Sequence, residues 1–103
     1  MAARTRARIP WDSLEQAAAV MRVLAHPHRL RLCELLESDG MPVGALADAL
    51  GLPPNAVSQH LAILRAHGIV DRRRRGKSVY YRVVHPSASW MLSCIRRHSC
   101  RTE

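Results

Sequence analysis

Apolar residues recur at helical spacing through the first half of the chain and predict three short helices. The first predicted helix repeats them every three or four residues, at Leu14, Ala17, Ala18, Met21, Leu24 and Ala25. Asp12 or Ser13 is placed to cap the start of this helix with a side-chain oxygen. The helix is expected to end before Pro27, because the residue that precedes a proline disfavours helical backbone.

Two further helices are predicted between Pro27 and Gly51. Pro27 can open the second helix, since the first turn of a helix tolerates a residue without an N–H group, and Gly40 is expected to close it. The third helix is predicted over residues 43–50, and Gly51 follows it at the position where helices commonly end in left-handed backbone. Its inner face is expected to consist of small and aliphatic side chains: Leu46, Ala47 and Leu50.

A fourth helix is predicted from the proline pair at 53–54 to Gly68. Val57, Leu61 and Leu64 recur at helical spacing and give it a core stripe. With the third helix and the glycine turn before it, this segment has the order of a helix-turn-helix. Side chains that form hydrogen bonds to base edges in the major groove are expected near the start of such a recognition helix. They are Asn55, Ser58 and Gln59, with His60 at the flank.

β-forming residues and a charged turn follow the fourth helix. A strand is predicted to start at Ile69, and a returning strand to cover residues 79–84. The turn between them is expected over residues 72–78, around Gly76. A last helix is predicted over residues 87–98. The order α-α-α-α-β-β-α describes a mainly α domain with a β-hairpin wing, which is the winged helix-turn-helix arrangement.

The chain is expected to be one domain with short ends. Residues 1–11 are rich in arginine and alanine and are predicted to be a flexible basic arm, residues 12–100 the folded domain, and residues 101–103 a tail. No run of 18 apolar residues is present, so no membrane span is expected. The arginines near the start lack the apolar segment of a signal peptide. A cytoplasmic location is therefore predicted.

Positive charge is concentrated in the predicted hairpin. The chain has sixteen Lys and Arg against eight Asp and Glu, a net charge of +8. Seven of the cations lie between Arg65 and Arg82, where Asp71 is the single acid. Charge alone leaves nucleic acid and an anionic membrane surface open, but nucleic acid is the usual partner of a small basic domain. The predicted phosphate contacts are Arg65, Arg73, Arg74, Arg75 and Lys77.

Several stretches of the chain resemble the ArsR/SmtB family of bacterial repressors. They are LAHPHRLRLCELL, VGALADALGL, and NAVSQHLAILRAHGIVDRRRRGKSVYYRV with the helix after it, and they cover about residues 14–100. The resemblance implies a homodimer that represses a promoter by binding double-stranded operator DNA and leaves it when an effector binds. It also implies that the first and last helices form the dimer interface. The candidates there are Leu14, Ala18, Met21, Leu24, Trp90, Met91, Cys94 and Ile95.

Two metal sites used in this family are incomplete here. The family site beside the third helix needs a Cys-x-Cys-like motif, and residues 41–44 carry no thiol. In the zinc site on the last helix, two of the four positions hold His85 and His98. The other two hold Ser87 and Arg101, so the donor set falls short of a tetrahedral zinc site.

Two cysteines resemble the sensor thiols of the branch that responds to persulfides and related oxidants. In that branch, oxidation bridges a thiol of the second helix and one of the last helix, here Cys33 and Cys100. A bridge would tilt the last helix and move the recognition helices off their groove spacing. Neighbouring arginines favour a thiolate at Cys100. Cys33 departs from the branch's R-L-x-x-x-C spacing by one residue, about 100° on a helix, so a buried core thiol is the alternative for it.

A thiophilic ion is the alternative effector. Cys94 and His98 share one helical face, and Cys100 follows closely. These three residues could bind zinc, and the cysteines together with Cys33 could bind arsenite, because soft ligands select soft ions. A place in the dimer interface is the other interpretation of Cys94. No further cofactor is predicted.

Two other functional classes are alternatives to a repressor. A DNA-binding architectural module without an effector would share the helix-turn-helix and the basic wing. An enzyme would need a glycine-rich phosphate loop, paired carboxylates near a histidine, or a Cys-His-Asp arrangement, and the sequence carries none of them. The chain is therefore not expected to be an enzyme.

Overall fold

The computed structural model describes residues 6–99, and within them the chain forms five helices and one antiparallel hairpin. The elements are α1 (Trp11–Leu24), α2 (Pro27–Leu35), α3 (Val43–Leu50), α4 (Pro54–Ala66), β1 (Val70–Arg75), β2 (Ser78–Val83) and α5 (Pro86–Ser99). This order confirms the predicted winged helix-turn-helix. Residues 1–5 of the predicted arm and the whole predicted tail lie outside the described residues, and Trp11, placed in the arm, is already the first residue of α1.

The start of α1 differs from the prediction. Pro10 occupies the position before the helix, and no side chain caps it. The expectation that Asp12 or Ser13 serves as the cap is therefore wrong. Asp12 is the second residue of the helix, where its negative charge still interacts favourably with the positive end of the helix dipole.

α2 is capped by a histidine and ends early. The Nδ1 atom of His26 accepts a hydrogen bond of 3.2 Å from the backbone N–H of His28, which satisfies one unpaired donor of the first turn. The helix ends at Leu35, so the prediction that Gly40 closes it is wrong. Gly40 instead lies against β2, where an added Cβ would come 3.3 Å from the carbonyl oxygen of Tyr81.

The hairpin is longer, and its turn tighter, than predicted. Arg72 to Arg75 are strand residues that pair with β2 from Tyr81 to Ser78, rather than part of a seven-residue charged turn. The turn itself is formed around Gly76, whose φ of 58° is in the left-handed region. The arginine run therefore extends the wing instead of forming its tip.

The core lies where α2, α3, α4 and α5 meet the base of the hairpin. Its largest fully buried side chains are Leu24, Val57, Leu32, Cys33, Leu36, Leu46, Leu61, Leu64, Ile69 and Val70. Among the described residues no polar or charged side chain is buried. Over residues 6–99, no helix has the length and apolar character that a membrane span requires. Within residues 6–99, the candidates for DNA and metal contacts thus lie at or near the surface, whereas the candidate sensor thiol of Cys33 is buried.

Candidate nucleic-acid interface

The turn between α3 and α4 holds the two helices close together. Gly51 ends α3 with φ 67° and ψ 33°, a left-handed conformation that glycine adopts without steric cost. The backbone N–H of Leu52 donates to the carbonyl oxygen of Ala47 at 3.1 Å, which closes the turn. Ala47 is 4% exposed, and its small side chain allows the close approach of α4. The predicted helix-turn-helix geometry is therefore present.

One face of α4 is fixed in the core and another is presented to solvent. Val57, Leu61 and Leu64 are all 0% exposed. Asn55 and Ser58 are exposed, and so is Gln59. The three predicted base-reading side chains thus lie together near the helix start, on the surface that the core leaves free.

His60 has a second environment that the sequence did not indicate. Its ring is half-buried, and its Nδ1 accepts a hydrogen bond of 3.2 Å from Nε of Arg29 on α2. Burial lowers the pKa of His60, and the nearby charges of His26, Arg29 and His28 lower it further. The lowered pKa favours a neutral imidazole, and the hydrogen bond of His60 connects the recognition helix to α2.

The wing arginines are divided between the two faces of the hairpin. Directly paired residues of an antiparallel ladder point to the same face, and neighbours along a strand to opposite faces. Arg73 and Arg75 share one face with Tyr80, over whose ring the Arg75 guanidinium lies at 5.8 Å. Arg74 lies on the other face, opposite Val79. Both faces carry exposed cations, so an anion can be contacted from either side.

The remaining predicted phosphate contacts lie at the end of α4 and in the turn of the wing. Arg65 is exposed in the last turn of α4, about 15 Å along the helix from Asn55 at 1.5 Å per residue. Lys77 is exposed in the turn of the wing. The cations thus lie at the far end of α4 and along the hairpin, with the polar base-reading residues at the near end.

One of the two predicted sensor thiols is buried in the core. Cys33 is 0% exposed in the core. Burial, and secondarily the negative charge of Glu37, raises the pKa of its thiol from 9.0 to about 11. In this conformation the thiol is protonated and shielded, whereas a reactive cysteine is an accessible thiolate. Cys100 lies outside the described residues.

An ion-pair network connects α5 to α2 beside the buried thiol. Nη2 of Arg96 lies 2.5 Å from a carboxylate oxygen of Glu37 and 3.9 Å from one of Glu34. Glu34 also pairs with Arg31 one turn earlier. Glu37 is the same residue whose charge acts on Cys33. The sequence does not reveal this link, because the partners are 59 residues apart.

The candidate metal ligands are only partly brought together. Cys94 and His98 are exposed one turn apart on α5, as predicted, and their proposed third partner, Cys100, lies outside the described residues. Within residues 6–99, a different set gathers three ligand atoms within 4.8 Å of one another: His26, His28 and His60. The sequence does not indicate this cluster, because His60 is distant along the chain from His26 and His28.

Large apolar side chains remain exposed on α1 and α5. Trp11 is 73% exposed and Trp90 74%. Leu14, Met21 and Ile95 are also exposed. The sequence placed Leu24 with them, but that is wrong: Leu24 is fully buried inside the domain, because its side chain belongs to the core.

Comparison with known proteins gives matches over most of the chain. Residues 24–73 match the model of a helix-turn-helix domain family. The HTH-type transcriptional regulator YgaV of Escherichia coli is 35% identical over 89 residues, which cover 85% of this chain and 90% of YgaV. The biofilm growth-associated repressor of Agrobacterium fabrum is 33% identical over 99 residues, covering 92% of this chain and 85% of the repressor.

Solved structures share the fold. Reduced HlyU from Vibrio cholerae superimposes with a TM-score of 0.80 at 28% identity, covering 88% of this chain and 96% of HlyU. The homodimeric winged helix-turn-helix DNA-binding domain Mb0332 of Mycobacterium bovis, a possible ArsR-family regulator, gives 0.75 at 27% identity, covering 94% and 90%.

The relatives are transcriptional regulators and not enzymes, in agreement with the expectation from the sequence. The order of helices and strands agrees with the fold of these solved structures. The chain belongs to the ArsR/SmtB family of winged helix-turn-helix transcriptional regulators, as a DNA-binding repressor.

Proposed function

We propose that the protein binds its operator as a homodimer, with α4 in the major groove and the β1–β2 wing on the phosphate backbone. One observation carries this proposal. The face of α4 opposite its buried stripe presents Asn55, Ser58 and Gln59, and the chain runs from that helix directly into a hairpin of exposed arginines. Amide and hydroxyl groups specify bases, while cations on the backbone supply affinity without sequence information.

The proposed dimer interface is formed by α1 and α5. Two tryptophans about three-quarters exposed, Trp11 and Trp90, are unusual on the surface of a small soluble domain. They lie on the two helices that the family resemblance assigns to the interface. Burying them between two copies of the chain would stabilise the dimer. Mb0332, which shares this fold, is homodimeric. A two-fold dimer places two copies of α4 at a fixed spacing, which an operator of matching symmetry can accept.

The proposed signal is a thiol-reactive sulfur species or oxidant acting on Cys33 and Cys100. Cys33 is on α2, which packs against α5, and the ion pair between Arg96 and Glu37 joins α5 to the segment that directly follows α2. The shielded, protonated thiol would react only when α5 moves away from α2. The thiolate of Cys100 would therefore react first, and Cys33 would follow as the resolving thiol.

The chemistry of such a step balances with a polysulfide as the oxidant. The Cys100 thiolate would break a sulfur–sulfur bond of the polysulfide and form a persulfide, and the Cys33 thiol would then attack the Cys100 sulfur, form a disulfide and release hydrosulfide and a proton. The polysulfide accepts the electrons and is cleaved to shorter sulfide products. The link would hold α5 at a new angle to α2, and the two copies of α4 would no longer match the groove spacing.

The experiment is a DNA-binding titration against operator DNA, performed with reduced protein, with a polysulfide donor, and with arsenite or zinc. The proposal expects polysulfide to lower the affinity, and Cys100→Ser to abolish this response. Cys94→Ser is the matched control, since Cys94 is exposed on α5 and is outside the proposed pair. Polysulfide release that persists in Cys100→Ser would overturn the assignment of the sensor thiol.

A thiophilic ion is the second candidate signal, because Cys94 and His98 are exposed on one face of α5. Release by arsenite or zinc alone, lost in Cys94→Ser, would move the assignment to these residues. Equal binding under every condition would instead favour the architectural module without an effector.

A further inference from the structure

Three imidazoles meet where the start of α2 touches the recognition helix. The ring centroids of His26 and His60 are 4.7 Å apart, and those of His28 lie 5.5 Å from His26 and 5.8 Å from His60. One ligand nitrogen from each ring lies within 4.8 Å of the others. The cluster is outside the cysteine-based sensor described above, and it involves α4 directly.

We propose that His26, His28 and His60 form a binding site for a divalent metal ion of the zinc class. Imidazole nitrogen suits Zn²⁺, Ni²⁺ and Cu²⁺, and a three-histidine site with a fourth position open to water is a known coordination for zinc. Nitrogens bound tetrahedrally at about 2.1 Å lie about 3.4 Å from one another. The three donors would thus need to approach by little more than 1 Å, which rotation of the side chains can supply.

The site has room for the fourth ligand. His26 and His60 are half-buried, while the backbone at His28 is on the surface. Water can therefore reach the ion from one side, while α2 and α4 hold the donors from the other. Among the described residues, the His28 ring contacts the other two rings and forms no hydrogen bond of its own, so it is free to turn toward an ion.

Metal binding at this site must break two existing hydrogen bonds. Nδ1 of His60 now accepts from Arg29, and Nδ1 of His26 accepts from the backbone of His28. A neutral imidazole has one lone pair available on nitrogen and one N–H. If the metal binds Nδ1, it replaces the N–H group that now donates to that nitrogen. If it binds Nε2, the ring proton moves from Nε2 to Nδ1, and Nδ1 can no longer accept a hydrogen bond. Either choice frees Arg29 from the recognition helix.

Through this exchange, metal binding would alter DNA binding, a consequence that rests on the proposed function of α4. Nη1 of Arg29 also donates to the carbonyl oxygen of Val23 in α1, at 3.1 Å. Arg29 therefore connects a helix of the proposed dimer interface to the recognition helix. An ion that takes His60 from Arg29 would replace this connection with one between α4 and the start of α2.

The test is a direct measurement of metal affinity without DNA, so its failure is distinct from failure of the proposed function. Zn²⁺ is titrated by calorimetry into the full chain carrying Cys94→Ser, Cys100→Ser and His98→Ala, which removes the other candidate metal ligands. We expect one ion per chain. His28→Ala should weaken binding at least about tenfold, the scale on which zinc sites respond even to indirect partners. His67→Ala, which changes the residue directly after the recognition helix and outside the cluster, is the control and should bind normally.

His28→Ala is expected to fold, because the backbone N–H of residue 28, not its side chain, is bound to the cap. Circular dichroism checks this. A second variant tests the exchange: Arg29→Met removes the competing donor and a positive charge, so Zn²⁺ should bind as tightly as before or more tightly. Unchanged affinity in His28→Ala, no binding in the parent chain, or weaker binding in a folded Arg29→Met would each overturn the proposal.

Discussion

Replacing Arg74 and Arg75 with alanine tests the wing as a phosphate clamp. The two residues are the last of β1 before the turn, they are exposed, and they lie on opposite faces of the hairpin. Neither supports the core, so the variant should fold normally. If each contacts one phosphate, a dimer loses four contacts. The slope of log affinity against log salt should then become shallower by about 3.6, at about 0.9 per contact.

The same arithmetic gives the effect on affinity. Between about 50 and 200 mM salt, the advantage of the natural protein over the variant should shrink roughly 100-fold. Fluorescence anisotropy with a labelled duplex at four or five salt concentrations measures both slopes. Arg31→Ala with Arg97→Ala removes the same charge from α2 and α5, and it should leave the slope nearly unchanged. An equal slope in the wing variant and the natural protein would refute the assignment of these residues to phosphate.

Three further predictions concern single residues. Gln59→Ala should weaken specific operator binding by about 1–3 kcal/mol and leave binding to random duplex unchanged, because a base contact carries discrimination; competition with both duplexes measures this. Leu61→Ala should lower the free energy of unfolding by about 2–5 kcal/mol in urea denaturation, since its side chain is fully buried, whereas Ile63→Ala, 37% exposed, should cost much less. Because the folded pKa of Cys33, about 11, is above the ordinary 9.0, the unfolded chain loses its proton first. Stability should therefore be fully present below pH 9 and fall by about 2–3 kcal/mol toward pH 11, a loss absent in Cys33→Ala.

The fold could be predicted wherever the hydrophobic period was strong. Val57, Leu61 and Leu64 placed α4 correctly, and Gly51 marked the end of α3, because each signal is local and has one structural solution. The wing boundary failed for the opposite reason. A run of four arginines has no alternation of apolar and polar residues, and its strand state depends on pairing with β2.

The candidate site could be predicted in its local part only. The exposure of Asn55 and Gln59 follows from their position opposite the core stripe. Contacts between distant segments left no trace in the sequence, and the pair of Arg96 with Glu37 is one example. For Cys33 the sequence left a buried core thiol and a sensor thiol as alternatives, because a one-residue shift in helical phase decides between core and surface. Both depend on how helices pack.

Selection of bound duplexes from a random-sequence library tests the central claim most directly. A two-fold dimer that presents α4 to the major groove should enrich an inverted repeat with half-sites about one helical turn apart. A duplex carrying the enriched sequence should bind roughly 10³-fold or more tightly than a scrambled one at physiological salt. With Gln59→Ala, the enriched repeat should lose its base preference at one position of each half-site. Failure to enrich any sequence, with equal affinity for both duplexes, would contradict a sequence-specific repressor and leave an architectural DNA-binding module.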